Sequence, residues 1–436
     1  MIMQLKTLCL LLTSTCFQQL WAQQNPMVFK GARIHTIAGK TYENGVLVIQ
    51  QGKILRVGDS TTSYPKDATV ADVRGKVIMP GLIDTHSHLG GPEGGDGSSP
   101  IQPETRALDA INPTSDGFKK ALAGGITTVN VMPGSGLLIS GQTVYLKMRA
   151  GKKIEDLLIT NEKGVFGGLK MANGTNPMRN GNGYPGTRAK SASIVRELLL
   201  KATTYKKKID AAGKDSTKMP DRDLALEPLV EVLNGKRTVH FHSHKSNDIL
   251  TVIRLSKEFG FKPVLHHISE GAMVADEIAK AGLYCSIINI ESPGGKMEAM
   301  NLTLATGGVL EKAGVPVVFH TDDGITDSRM FLRSAAFSVR YGMSKEKAME
   351  GLTIIGAKIL DLSTRIGSLE KGKDADFIIL NGEPFSVYTH VEQTWVEGVK
   401  RWDIDNPADK AFRTGGNGVY SSDRGEFHHH EKEETN

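Results

Sequence analysis

An apolar run, Ile78-Met79-Pro80-Gly81-Leu82-Ile83, breaks off at Asp84-Thr85-His86-Ser87-His88. Side chains alternate faces along a β-strand, so two histidines at i and i+2 point the same way. A strand that ends on two such imidazoles is half of a metal site, and the rest of the chain must bring other donors to the same strand end. Three later segments read as short buried strands ending in His or Asp: Thr238-Val239-His240-Phe241-His242, Pro263-Val264-Leu265-His266-His267, and Val315 through His320-Thr321-Asp322. Several strand ends carrying ligand-type residues suit the C-terminal face of a parallel barrel.

The pattern between those segments agrees. Strand candidates fall at Ile83–His88, Ile126–Met132, Leu157–Thr160, Val165–Lys170, Val239–His242, Val264–His267, Tyr284–Ile288 and Val317–Thr321. Helical periodicity separates most of them, as in Gly117–Ala123, Ala192–Asp210, Asp248–Phe259 and Leu302–Ala313. Such β/α alternation predicts an α/β fold, and eight strands favour a (β/α)8 TIM barrel over a doubly wound sheet. The flanks differ. Residues 27–79 carry short strands and tight turns, including Asn44-Gly45 and Gln51-Gly52, read as hairpin turns. Too short to stand alone, this segment is expected to pair with strands at residues 360–402, making a small composite β-sandwich beside a barrel spanning 80–359.

At the N-terminus, Lys6 precedes Leu8-Cys9-Leu10-Leu11-Leu12, with Ala22 as a cleavage point, so residues 1–22 read as a signal peptide and the protein as exported, periplasmic or secreted. Of the three cysteines only Cys285 lies beyond that segment, which leaves no internal disulfide; stability has to come from a large core. Net charge is +5, or +4 without Lys6, and the excess is spread along the chain, which argues against nucleic acid as a partner. No apolar run in the mature form is long enough to span a bilayer. Residues 403–436 read as a polar tail whose His428-His429-His430 lacks any neighbour to orient imidazoles. Assembly is left open, a homo-oligomer included.

Pro80-Gly81-Leu82-Ile83-Asp84-x-His86-x-His88, together with Gly372-Lys373-Asp374-Ala375-Asp376 and the flanking β segments, resembles the amidohydrolase superfamily, in particular its imidazolonepropionase-like and prolidase-like branch. The resemblance runs over roughly Met27 to Trp402 and implies a metal-dependent hydrolase on a barrel with a composite β-sandwich. It implies as metal ligands His86, His88, His242, His267 and Asp322, with Lys170 as a bridge between two ions once carbamylated, or as a strand-end lysine paired with Asp322 in a one-metal enzyme. His240, His242 and His244 share a strand face; His242 matches the family position, and His244 falls to substrate contact or ligand support. Alternation lets only one of His266 and His267 point inward, and His267 is the match. The loop after Lys170 carries Thr175 where relatives often have Glu, and Arg179, Tyr184 and Arg188 in or near it are candidates for a substrate carboxylate, or else surface residues.

These parts predict hydrolysis of a C–N bond in a small amide, cyclic amide or dipeptide. One or two divalent cations would activate water, with zinc best suited to imidazole-rich ligation. Asp322 would serve as general base. A ring deaminase of the same superfamily is the alternative, with Glu270 the nearest extra acid. A non-catalytic binding protein on the same scaffold is disfavoured, because every expected ligand position is filled.

Overall fold

Five strands come before the His86-x-His88 strand: β1 (Met27–His35), β2 (Thr41–Gln50), β3 (Lys53–Gly58), β4 (Thr69–Asp72) and β5 (Val77–Pro80). The structure is a computed structural model and describes residues 25–92, 95–181, 183–290 and 296–415; the expected signal peptide and the histidine tract lie outside them. The β2–β3 turn is Gln51-Gly52, both at positive φ (51° and 76°), the conformation a two-residue hairpin turn demands. Asn44-Gly45, also expected to turn, lies instead inside β2 opposite an irregularity in β1. A Cβ on Gly45 would sit 2.5 Å from Ile34 Cδ1, so close strand approach, not a turn, requires the glycine.

The next strands are β6 (Leu82–Ser87), β7 (Ile126–Val131), β8 (Ile139–Gln142), β9 (Val144–Lys147), β10 (Leu169–Ala172), β11 (Val239–Ser243), β12 (Pro263–His267), β13 (Tyr284–Ile287) and β14 (Val317–Phe319). After them come β15 (Phe377–Leu380), β16 (Val391–Val396) and β17 (Val399–Asp403). The two chain ends share one eight-stranded sheet, ordered β17-β16-β15-β5-β1-β2-β3 with β4 on β1. Its join is antiparallel, Val77 opposite Leu380 and Pro80 opposite Phe377. Over it pack Phe29, Phe377 and Trp395, with Phe29 edge-on to both partners at 4.9 and 5.1 Å.

Between the ends, β10 to β14 run parallel and in sequence order within a six-stranded sheet, and β6 pairs parallel to β7. Their β-branched and aliphatic residues are buried throughout, as strands covered on both faces require. Helices return the chain to each next strand. Asp116–Ala123 begins under the Ser115 hydroxyl, which accepts from Gly117 N; Ser246–Phe259 and Ala275–Ala281 stop at Gly260 and Gly282, both left-handed.

The expected strand over 157–160 does not form: Ile154–Leu157 is a helical turn capped by the Asp156 carboxylate, which accepts from Lys152 N and Lys153 N (3.0 and 3.2 Å), and Leu158 makes an isolated antiparallel bridge to Leu146. The extended pair β8 and β9 lies there instead, antiparallel to β10 and β7, so the sheets are mixed. The ends of β6 and β14 are tied by Asp322 N to His86 O (3.0 Å) and Thr321 N to Asp84 Oδ1 (3.1 Å). The polar tail expected from residue 403 opens with a helix, Pro407–Thr414, whose start is set by the Asn406 side chain accepting from Ala408 N; the Trp402 indole donates to Asp409 O. Among the described residues no helix is long and apolar enough to cross a membrane.

Candidate metal centre

His86 closes β6 and is fully buried, while His88, one residue beyond that strand, is partly open. The His88 Nδ1 faces Met132 O at 2.8 Å, which orients the ring, and Nε2 lies 2.8 Å from Asp322 Oδ1. His86 Nε2 lies 3.3 Å from the same oxygen. Both ends of this arrangement are set by Asp84, whose carboxylate accepts from His86 N, Thr321 N and Thr321 Oγ1. Burial raises the Asp84 carboxyl to about 7 against the pull of those hydrogen bonds. For Asp322, burial acts in the same direction, but the hydrogen bond and charge of His88 outweigh it and hold the group well below the usual carboxylate range.

On the opposite side stand His242 in β11, His244 just past it, and His267 at the end of β12. The rings of His242 and His267 are 4.2 Å apart, and those of His86 and His267 5.0 Å. Three donor groups emerge, each with ligand atoms within 4.8 Å of one another: His86-His88-Asp322, His86-His267-His320 and His242-His244-His267. They share His86 and His267, so they form one continuous cluster. Burial lowers the imidazoles of His86, His244 and His267 well below their ordinary value and that of His320 to about 3, which keeps the rings neutral and their lone pairs available.

Buried polar atoms are nearly always satisfied. Among the described residues His244 Nε2, His267 Nε2 and His320 Nε2 have no hydrogen-bond partner, while the other ring nitrogens of His244 and His320 are held by Ser269 and Ser286 at 2.8 Å. Imidazoles fixed through one nitrogen, with the other open beside further donor atoms, fit a divalent cation.

His266 and His267 both reach this interior, against the expectation that only one could. The reason is backbone: His267 has φ +67° and Ile268 +43°, which breaks the alternation of β12 at its last residue. His266 packs beneath, its Nε2 2.9 Å from His240 Nδ1, and His240 in turn meets Asn130 at 3.2 Å. Asp322, too, is left-handed at φ +49°. Backbone strain at two donors is typical of positions held for function.

Lys170 lies in β10, fully buried, with Nζ 3.1 Å from His86 Nε2 and 3.2 Å from Met132 Sδ; among the described residues it makes no ion pair with Asp322. Burial brings its ammonium down to about 7. The other candidates are spent differently. Arg188 opens the helix Arg188–Ala212, its Nε on the Asp248 carboxylate (2.9 Å) and its Nη2 on Glu298 (2.6 Å). Arg179 donates to Gly136 O at 2.6 Å and stacks 4.2 Å over the Tyr184 ring, whose hydroxyl donates to Ser99 O.

His320 joins the cluster without having been expected there, although it stands two residues before Asp322 and shows the same same-face spacing as His86 and His88. Asn176, Lys296 and Glu298 were also missed. They carry no local signal, since they meet only through folding: Asn176 Nδ2 lies 3.2 Å from His242 Nε2, and Lys296 Nζ donates to Asn176 Oδ1 at 2.7 Å.

A family model described as "Amidohydrolase family" matches residues 77–402. The chain belongs to the amidohydrolase family. It is thereby an enzyme of the hydrolases acting on carbon–nitrogen bonds, and the resemblance carried by the His-x-His strand and the Gly372–Asp376 motif is borne out. This amidohydrolase is 32% identical to a crystallised amidohydrolase from Thermotoga maritima over 86% of the present chain and all of that one, with a TM-score of 0.81. That likeness gives the α/β portion a TIM-barrel-like character. It is 24% identical to an imidazolonepropionase of Rhizorhabdus wittichii over 90% of this chain and 97% of that protein. It is 25% identical to the amidohydrolase tasK of Hapsidospora irregularis over 82% of this chain, but the match spans only 40% of that longer relative.

Proposed function

We propose that this amidohydrolase cleaves an amide, cyclic amide or dipeptide C–N bond at a centre held by His86, His88, His242, His267 and Asp322, inside a closed barrel flanked by a composite β-sandwich. The observation that supports it most is one continuous cluster of buried imidazoles, three of them with a partnerless ring nitrogen, that runs through His86 to Asp322. A divalent cation there, zinc by its preference for imidazole, would lower the pKa of water towards neutrality and polarise the scissile carbonyl. Asp322 takes the proton of the attacking water on its carboxylate and delivers it to the departing nitrogen. His88, oriented by Met132 O, fixes the carboxylate for that transfer. The apolar leader at residues 1–22 supports a site of action outside the cytoplasm.

Lys170 supports two ions over one: its amine sits against His86, burial favours the neutral form, and only a neutral amine reacts with carbon dioxide to give a bridging carbamate. Lys170→Ala should therefore lower the metal content of the purified protein by about one equivalent, with partial rescue by a short carboxylic acid. Unchanged stoichiometry would remove the bridge. The reading as a whole is tested by metal analysis alongside a screen of dipeptides, N-acyl amino acids and cyclic ureides; fewer than one tightly bound metal per chain and no restoration by zinc or manganese would overturn it.

A deaminase is less well supported. Glu270 is engaged by Lys245 Nζ (2.9 Å), Ser246 N (2.8 Å) and Asn301 Nδ2 (2.8 Å). Burial alone would raise its carboxyl, but these donors hold it at about 2. An acid so fully hydrogen-bonded as an anion is poorly placed to shuttle protons. Glu270→Gln should leave kcat within about tenfold of the parent; a loss on the order of 10² would restore it as a proton donor.

A further inference from the structure

Two loops at the rim of the centre are clamped together by one buried acid. Glu298 accepts from Thr175 N (2.9 Å) and Thr175 Oγ1 (2.6 Å) on the loop after β10, and from Arg188 Nη2 (2.6 Å). Gly174, at φ +77°, makes room for it, since a Cβ there would lie 2.5 Å from Glu298 Oε1. The residues next to this clamp, Asn176 on one loop and Lys296 on the other, are thereby held face to face. Lys296 Nζ donates to Asn176 Oδ1 (2.7 Å), which turns the amide nitrogen toward His242 Nε2 (3.2 Å). The ammonium thus stands within roughly 8 Å of a ligand imidazole, two hydrogen bonds and one amide away.

The Lys296 ammonium feels Glu298 and Asp322 only from beyond ion-pair distance. Other cations near the strand ends are paired with carboxylates: Lys120 with Asp323, Lys245 with Glu270, and Arg188 with Asp248 and Glu298. Among the described residues Lys296 has no carboxylate within ion-pair distance, and one N–H suffices for Asn176, leaving two to face a ligand. A lysine pinned through a clamped neighbour, beside a cluster of neutral imidazoles, is a preorganised anion receptor.

We propose that Lys296, positioned by Asn176 and the Glu298 clamp, binds a carboxylate that the substrate carries close to its scissile C–N bond, so that the enzyme acts on acylated amino acids or dipeptides with a free acid in preference to neutral amides. The proposal rests on C–N hydrolysis at the centre described above and adds the charge of the substrate to it.

The test compares a panel of N-acetyl amino acids and glycyl dipeptides with their C-terminal amides, using the metal-loaded full chain. Calorimetry with the corresponding free amino acids runs in parallel. The expected result is an acid-to-amide ratio of kcat/KM above about ten for the parent. Lys296→Met should bring that ratio close to one and weaken amino-acid binding about tenfold, Lys296→Arg should restore both, and Lys207→Met on the distant helix Arg188–Ala212 should change neither. A parent without preference for the acid, or a Lys296→Met protein that keeps it, overturns the proposal. Absence of hydrolysis for every pair would instead count against C–N cleavage of this class, and calorimetry then decides Lys296 alone: carboxylate binding that survives Lys296→Met refutes its role.

Discussion

Asp322→Asn should cut kcat by a factor on the order of 10² to 10⁴ while the protein stays folded and retains metal. Asparagine is the informative replacement because Asp322 sits at φ +49°, a left-handed conformation that Asn tolerates and most residues do not. Its N–H bond to His86 O at 3.0 Å, which ties β14 to β6, is a backbone contact and survives the change. An amide oxygen can still face His88 Nε2, so the shape of the cluster is kept. What disappears is the basicity needed to take a proton from water. A kcat within a few-fold of the parent, at unchanged metal stoichiometry, would exclude Asp322 as the base. Loss of metal together with kcat would show that its charge serves the cation first, and the ratio of the two losses separates those roles.

Much of this centre was legible because strand alternation is a short-range rule. His86 and His88 announce themselves by spacing, and the pair His320 and Asp322 obeys the same rule. The rule failed where the backbone left the strand. His267 turns inward together with His266 only because its φ is +67°, and nothing in the local pattern of apolar residues marks a left-handed histidine. Contacts assembled across long separations were invisible for a different reason. Glu298 meets Thr175 and Arg188, and Lys296 meets Asn176, through loops whose course depends on everything packed beneath them. In the fold, the parallel strands β11 to β14 were recognisable from short buried apolar runs, whereas β10 (Leu169–Ala172) begins four residues beyond the start of the strand expected over Val165–Lys170. The segment after Lys147 was not: an apolar pair at Leu157-Leu158 looks the same in a strand as at the end of a capped helical turn. Asn44-Gly45 misled similarly, since a glycine demanded by close packing and one demanded by a turn are identical in sequence.

The Gly372–Asp376 motif, which helped to identify the family, has a structural task, and its removal should produce the largest loss of stability. Lys147, fully buried in β9, donates to Asp374 Oδ2 at 2.6 Å and to Asp376, with Glu397 3.8 Å away. Asp374 is also held by Lys53 (2.6 Å) and Arg365 (2.7 Å), whereas the Asp376 carboxylate, among the described residues, otherwise takes only a backbone N–H from Glu397 (2.8 Å). Lys147→Met removes the cation and leaves the Asp376 carboxylate buried without a counter-charge, a change that costs about 3–5 kcal/mol. The expected result is a lower denaturation midpoint with an unchanged slope, and unchanged metal content in the folded fraction. The loss should also depend on pH. Burial already pushes the Asp376 carboxyl up, and Lys147 is the leading influence against it. Without that lysine the folded-state pKa rises further above the unfolded value, so the folded variant binds a proton that its unfolded chain has lost. Its stability then falls, relative to the parent, as pH rises through the interval from the ordinary carboxylate value to the raised one. Adding Asp376→Asn to Lys147→Met should recover part of the loss at neutral pH and flatten that dependence. A pH-independent deficit, with no recovery in the double variant, would mean that Lys147 stabilises the junction by packing its stem and not by neutralising Asp376.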